Sequence, residues 1–128
     1  MNETRRDYVP AIAIWELLTV LPVGCITASV VIFGLMAYSE EMHFGHGNPT
    51  QTLLAAGITL VLGLAYMALG LMGGIGLLLG DEWGRRLSLA HAAVSLVLIP
   101  IIGTVLGALS LRYLLRASVK QRFALEPD

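Results

Sequence analysis

Three stretches of this chain, residues 17–38, 52–80 and 87–111, contain no Asp, Glu, Lys or Arg. A run of about 20 such residues is long enough to cross the hydrocarbon core of a bilayer as a helix. Apolar residues make up 56% of the 128 residues and charged ones 13%. Ordinary soluble domains hold roughly 45–50% and about 25%. A chain with so little polar surface has lipid as its natural solvent. Because backbone groups in lipid must be satisfied within the segment, these runs are expected to be α-helical.

The basic residues then orient the chain. Arg5 and Arg6 precede the first run, Arg85 and Arg86 follow the second, and Arg112, Arg116, Lys120 and Arg122 close the sequence. Positive flanks stay on the cytoplasmic side, so both termini are expected inside and two connections outside. The net charge of −1 gives no long-range attraction for nucleic acid. The single cysteine, Cys25, lies within an apolar run and is expected to be an inert packing thiol. The first apolar run far exceeds the roughly 7–15 residues of a cleavable signal segment, so it is expected to be a retained anchor helix.

Charge also decides the third run. As one crossing, its 25 uncharged residues would put Arg112 and its basic successors on the face opposite Arg85 and Arg86. Splitting it at Pro100-Ile-Ile-Gly103-Thr104 restores the rule, and proline with glycine supplies the break. The expected fold is all-α: a membrane-embedded four-helix bundle, two long helices followed by a shorter helical hairpin. Residues 1–128 form one transmembrane domain, with helices at about 11–38, 52–80, 82–99 and 103–117. An outer loop spans 39–51 and a cytoplasmic tail 118–128. The last two helices reach only about 20–27 Å. Their connecting turn therefore stops short of the outer surface and needs cover.

The second helix carries Ala56, Thr59, Gly63, Tyr66, Gly70, Gly73 and Gly80 at spacings of three and four, with one gap at Leu77. Gly70 and Gly74, Gly76 and Gly80, and Gly103 and Gly107 fit small-xxx-small spacing. Small faces let helix backbones approach closely, either within the chain's own bundle or in self-association. Both uses want the same residues.

Glu16 is an acid inside the first span, and an intramembrane acid is a functional-site candidate by default. It could carry a coupling proton. Its depth is shallow, however, and Trp15 beside it reads as an interfacial belt residue. Contact with His91 or Arg86 would satisfy it structurally, and that reading is favoured. Ser88, Ser95, Thr104 and Ser110 are expected to be interhelical hydrogen bonders, since no histidine and acid accompany them in a triad-like pattern. Asp81 and Glu82 beside Arg85 and Arg86 point to local ion pairing and helix capping.

Glu40, Glu41, His43 and His46 offer two carboxylates and two imidazoles within seven residues, donors that suit zinc, copper or nickel. No thiolate joins them, and a loop must lose entropy to organise four ligands. A solvated acidic cap is favoured and no cofactor is expected. Haem ligation is weaker still, since His91 alone among the histidines lies in a span.

Several helix-boundary motifs carry a resemblance. They are Pro10-Ala-Ile-Ala-Ile-Trp15-Glu16-Leu-Leu, Gly70 with the following apolar run into Asp-Glu-Trp83-Gly-Arg85, Pro100-Ile-Ile-Gly103-Thr104-Val-Leu-Gly107, and Tyr113-Leu-Leu-Arg116-Ala-Ser-Val119-Lys120-Gln-Arg-Phe123. Over nearly the whole chain this resembles a broad group of uncharacterised prokaryotic four-helix integral membrane proteins. That group often has proline where Ala117 or Ser118 stands here. The resemblance implies four helices, a prokaryotic inner-membrane location and cytoplasmic termini, and it implies no reaction.

The expected function is a non-catalytic membrane module: an accessory or scaffold subunit packing through small-residue faces into a larger complex or oligomer. Its partners would be membrane lipids, other membrane subunits or its own copies, and no nucleic acid. The alternative is a small proton-coupled transporter using Glu16. In size, span count and its first-helix acid, the chain is similar to small multidrug resistance exporters. Those commonly pair antiparallel with weak charge bias, whereas here the bias is complete, and aromatic residues able to hold an organic cation are scarce. A loop-borne metal site is a third possibility, and a stand-alone enzyme is not expected.

Overall fold

A computed structural model describes residues 7–99 and 101–124. Arg5, Arg6, Pro100 and the last four positions of the expected tail lie outside the described residues. The fold is all-helical, without strands among the described residues. The helices are α1 (Val9–Phe44), α2 (Pro49–Leu79), α3 (Glu82–Leu98), α4 (Ile102–Leu114) and α5 (Ala117–Ala124). Of these, α1 and α2 are long and apolar enough to cross a membrane. At about 1.5 Å per residue they run roughly 54 and 46 Å, against about 26 Å for α3 and 20 Å for α4.

The loop between the first two helices is much shorter than the expected 39–51. Ser39-Glu-Glu-Met-His-Phe44 continues α1, because nothing in it resists helix until Gly45. Gly45 and Gly47 take positive φ values of 66° and 90°, a region open to glycine. Pro49 then opens α2, with Asn48 as its cap: the Asn48 Oδ1 accepts the Gln51 backbone N–H at 3.3 Å.

The junction of α2 and α3 corrects the placing of Gly80 on a packing face. Gly80 stands just past α2 with φ 82°. Its N–H bonds the Leu77 carbonyl at 3.2 Å, and the Asp81 N–H bonds that of Gly76 at 3.0 Å. This is a Schellman stop, which requires a left-handed residue where Gly80 stands. Asp81 occupies the cap position of α3 but its side chain makes no capping bond.

Between α3 and α4 the chain breaks as charge placement required. Ile99 is extended, as a residue before proline must be, and Ile101 has φ 67°, rare for a β-branched side chain. The fourth helix ends at Leu114, and the chain bends by 64° into α5. The expected tail is thus helical over Ala117–Ala124. Val119 and Phe123 bury one side of that helix, while Lys120, Gln121 and Arg122 are exposed.

The chain forms two compact units. The smaller, Val20–Met67, is an antiparallel pairing of the C-terminal part of α1 with the N-terminal part of α2. Gly34 faces Ala56, and a methyl group on Gly63 would come within 2.9 Å of Thr27 Cβ. Near its loop end, the Thr52 hydroxyl donates to both Glu41 carboxylate oxygens, at 2.9 and 3.1 Å.

The larger unit joins the start of α1, the end of α2, and α3, α4 and α5. Its apolar core is Val9, Ile12, Ala13, Leu77, Leu114, Val119 and Phe123. Here α2 and α3 cross backbone to backbone: a methyl group on Gly84 would lie 2.7 Å from Leu77 N. Likewise α4 lies on α3, with Gly103 over the Ser95 carbonyl and Gly107 over that of Ala92. Such close backbone approaches supply dispersion and Cα–H···O contacts between the helices.

Candidate functional site

The buried positions of α3 are Gly84, Arg85, Ser88, His91, Ala92 and Ser95, one stripe at helical spacing. Four are small (Gly84, Ser88, Ala92 and Ser95), so neighbouring helices close in. Three polar side chains (Ser88, His91 and Ser95) and one charged side chain (Arg85) share the stripe, and each needs a partner once water is gone. That need organises the site.

At its centre is Glu16 of α1, 1% exposed. The Ser88 hydroxyl donates to Glu16 Oε2 at 2.7 Å. His91 Nδ1 lies 3.8 Å from Glu16 Oε1, ion-pair range but too long for a hydrogen bond. The α2 backbone closes the third side, since a methyl group on Gly73 would fall 2.9 Å from Glu16 Oε2 and 3.0 Å from Ser88 N. Thr19 donates to the Glu16 carbonyl at 2.7 Å, and Ser95 to that of His91 at 2.8 Å. Among the described residues Glu16 Oε1 has no hydrogen-bond partner.

The cluster thus unites Glu16 and His91 with Ser88 and Gly73. Arg86, the other expected partner of the acid, is exposed and bonds Glu82 at 3.4 Å. Ser88 is an interhelical hydrogen bonder as expected, but an acid and an imidazole do accompany it, which its spacing in the sequence did not indicate. Their order differs from a nucleophilic triad, where imidazole stands between hydroxyl and acid. Here the carboxylate stands in the middle, an arrangement that ties α1 to α3 and leaves the serine proton directed at the acid.

A second group sits near the α2–α3 junction. Arg85, only 5% exposed, bonds Glu82 through Nε at 2.8 Å and Nη2 at 2.6 Å, and its Nη1 donates to the Leu114 carbonyl at 3.3 Å. Leu114 is the last residue of α4, so a buried guanidinium caps that helix where its dipole is negative. The local Arg85–Glu82 pairing was expected from the sequence, whereas the reach of Arg85 to the end of α4 was not. Gly76 and Gly84 were also missed as a crossing pair, although their placement four residues either side of Gly80 was a usable signal.

A third contact fastens the ends of the larger unit. Asp7 Oδ1 accepts the Val9 N–H at 3.1 Å, and its Oδ2 accepts from Arg122 of α5 at 2.5 Å. The Arg122 guanidinium holds the Asp7 carboxyl below its ordinary range, assisted by the Val9 N–H. Tyr8 and Tyr113 pack edge to face beside it, ring centres 5.5 Å apart.

The remaining candidates scatter. Ala56, Gly63, Tyr66, Gly70, Gly73, Gly74, Gly103 and Gly107 are buried, and Thr59 is partly so. Gly74 packs on Ala13 and Leu17 of α1. Thr104 bonds the Leu96 carbonyl at 3.2 Å, while Ser110 is buried in α4. Cys25, expected to pack, is exposed on α1. His43 bonds Ser39 O of its own helix at 2.8 Å, and Glu41 is turned to Thr52. Among the described residues no three of His, Cys, Asp and Glu gather in a group that could hold a metal, so Glu40, Glu41, His43 and His46 do not form one.

Compared with protein-family models, curated proteins and solved structures, the chain gives no match.

Proposed function

We propose that the chain is a non-catalytic integral membrane module, an accessory or scaffold subunit that works by associating with other membrane proteins or with its own copies. In this reading α1 and α2 cross the membrane, α3 and α4 form a shorter hairpin completing a four-helix bundle, and α5 lies at the cytoplasmic interface. The observation that carries it is the use of the buried polar groups. Glu16 and Ser88 are spent on each other, Arg85 on Glu82 and a helix end, and Ser95 on a carbonyl. Among these buried groups the contacts run to other protein atoms within and between helices, which supports a packing role.

Because Gly73, Gly74, Gly103 and Gly107 face inward contacts, the docking surface moves elsewhere. Gly57 is the better candidate: it is exposed, a methyl group there meets nothing within 4 Å, and Leu53, Leu54, Ile58 and Val61 flank it in a shallow groove. Photo-crosslinking from a probe at Gly57, followed by purification in mild detergent, tests the idea. A partner or second copy captured from the native membrane is expected. A chain that purifies only as an uncrosslinked monomer would overturn it.

The second reading, proton coupling through Glu16, draws on the buried Oε1 that lacks a hydrogen-bond donor among the described residues. Its test is substrate-driven proton flux in vesicles carrying Glu16→Gln. Unchanged flux removes the role.

A further inference from the structure

Within the larger unit, the first turns of α1 and the last turns of α4 border a groove of about 520 Å³. That size lies inside the roughly 300–1,000 Å³ typical of small-ligand sites. The Tyr8–Tyr113 contact sets the two helices antiparallel along it: the Tyr8 N–H donates to the Tyr113 hydroxyl at 3.2 Å. Seven residues further along α1 is Trp15, and seven back along α4 is Leu106, each about 10 Å from the tyrosines. The groove therefore has two different ends. Trp15, Leu106 and Leu109 make an apolar floor, and Tyr8, Arg112 and Arg116 stand at the mouth.

Asp7, the carboxylate beside Tyr113 among the described residues, is paired with Arg122. Arg85, Arg86 and Arg122 each have a carboxylate partner. Among the described residues none pairs with Arg112 or Arg116, both of which are exposed. The Arg116 guanidinium rests 5.6 Å from the centre of the Tyr113 ring, which holds it at the groove. Two guanidiniums one turn apart match the oxygens of a phosphodiester, which arginine can bind in bidentate fashion.

We propose that this groove binds one anionic phospholipid, its phosphodiester on Arg112 and Arg116 and an acyl chain along Trp15, Leu106 and Leu109. The occupant is a lipid because the groove continues into an apolar floor that a free anion cannot use. It is anionic because two cations face the headgroup, and a zwitterionic lipid brings a further cation of its own. Basic pockets between helices on the cytoplasmic side favour acidic headgroups for this reason. The proposal rests on the membrane reading above.

The full chain is reconstituted in phosphatidylcholine vesicles containing a minor share of phosphatidylglycerol, extracted in mild detergent, and its retained lipid identified by native mass spectrometry. Phosphatidylglycerol is expected to be enriched about 5-fold per arginine, roughly 25-fold for both. Arg112→Gln with Arg116→Gln should abolish the preference, and the paired lysine variant should restore part of it. Leu109→Trp fills the floor from an exposed position and should release the lipid with both arginines intact. Arg86→Gln should change nothing.

Equal retention of the two lipids overturns the proposal, as does full retention by Leu109→Trp. Loss caused equally by Arg86→Gln assigns the preference to general surface charge and overturns it too. Displacement of the lipid by inorganic phosphate would make the groove a free-anion site, contrary to the proposal. Release of the chain from membranes by an alkaline wash overturns the membrane reading as well, whereas an embedded chain without lipid preference overturns the groove alone.

Discussion

Ser88 and Glu16, 72 positions apart in sequence, are joined by a buried 2.7 Å hydrogen bond between α3 and α1. The bond replaces water for an acid that is 1% exposed. Ser88→Ala leaves a carboxylate oxygen unsatisfied, so it should cost about 1–3 kcal/mol of stability. Glu16→Gln retains an acceptor and should cost less. A double-mutant cycle of Ser88→Ala with Glu16→Leu, which removes the acceptor, followed by unfolding in detergent, should give a coupling of roughly 0.6–1.7 kcal/mol. Zero coupling would show that the contact does not hold the helices.

The α2–α3 crossing should be intolerant of a single methyl group. Gly84→Ala puts a carbon within 2.7 Å of Leu77 N, and backbone cannot step aside as a flexible side chain can. A loss of about 1–3 kcal/mol or more is expected. Gly57→Ala, which meets nothing within 4 Å, should be neutral or stabilising by up to about 1 kcal/mol through helix propensity. Thermal unfolding of both variants checks the contrast, and equal losses would defeat it.

Arg85 should resist conservative replacement. Its guanidinium reaches both Glu82 oxygens and the Leu114 carbonyl together, a fork that a lysine ammonium cannot reproduce. Arg85→Lys is expected to cost about 1.5–3 kcal/mol and to fray the end of α4. Faster amide exchange near Leu111 and Leu114 reads this out; wild-type exchange rates would refute the capping role.

The Asp7–Arg122 contact should carry a pH dependence confined to acid. The Asp7 carboxyl is held below its ordinary value of 3.8, so its stabilising effect is complete above that pH and fades as pH falls through the lower folded value. A spin label at exposed Gln121, with Cys25 replaced, should report an unchanged α5 from neutral pH down to about 4 and a looser one below. Asp7→Asn should be loose throughout. Loosening that begins near neutrality would point to another group.

Legibility followed the range of the interaction. Helix identity, the break between α3 and α4 and the Glu16–His91 approach were readable, because apolar run length, charge placement and depth are local or one-dimensional quantities. The extent of α1 was not: Ser39-Glu-Glu-Met-His-Phe44 is polar enough to suggest a loop but contains nothing that stops a helix. Gly80 fitted a small-residue spacing, yet its positive φ makes it a helix stop. Spacing alone cannot distinguish these uses, since both require only the absence of a side chain.

From its residues alone this protein is committed to helices and to two apolar segments of membrane-crossing length, because uncharged runs of that length have no other way to satisfy their backbones in lipid. Three-dimensional packing alone selected which glycines became crossings, carried Arg85 to the Leu114 carbonyl of another helix, and brought Ser88 to Glu16. Those outcomes depend on which helix faces meet. Partner choice across distant segments is set by the combined fit of all the faces and is written in no single stretch of sequence.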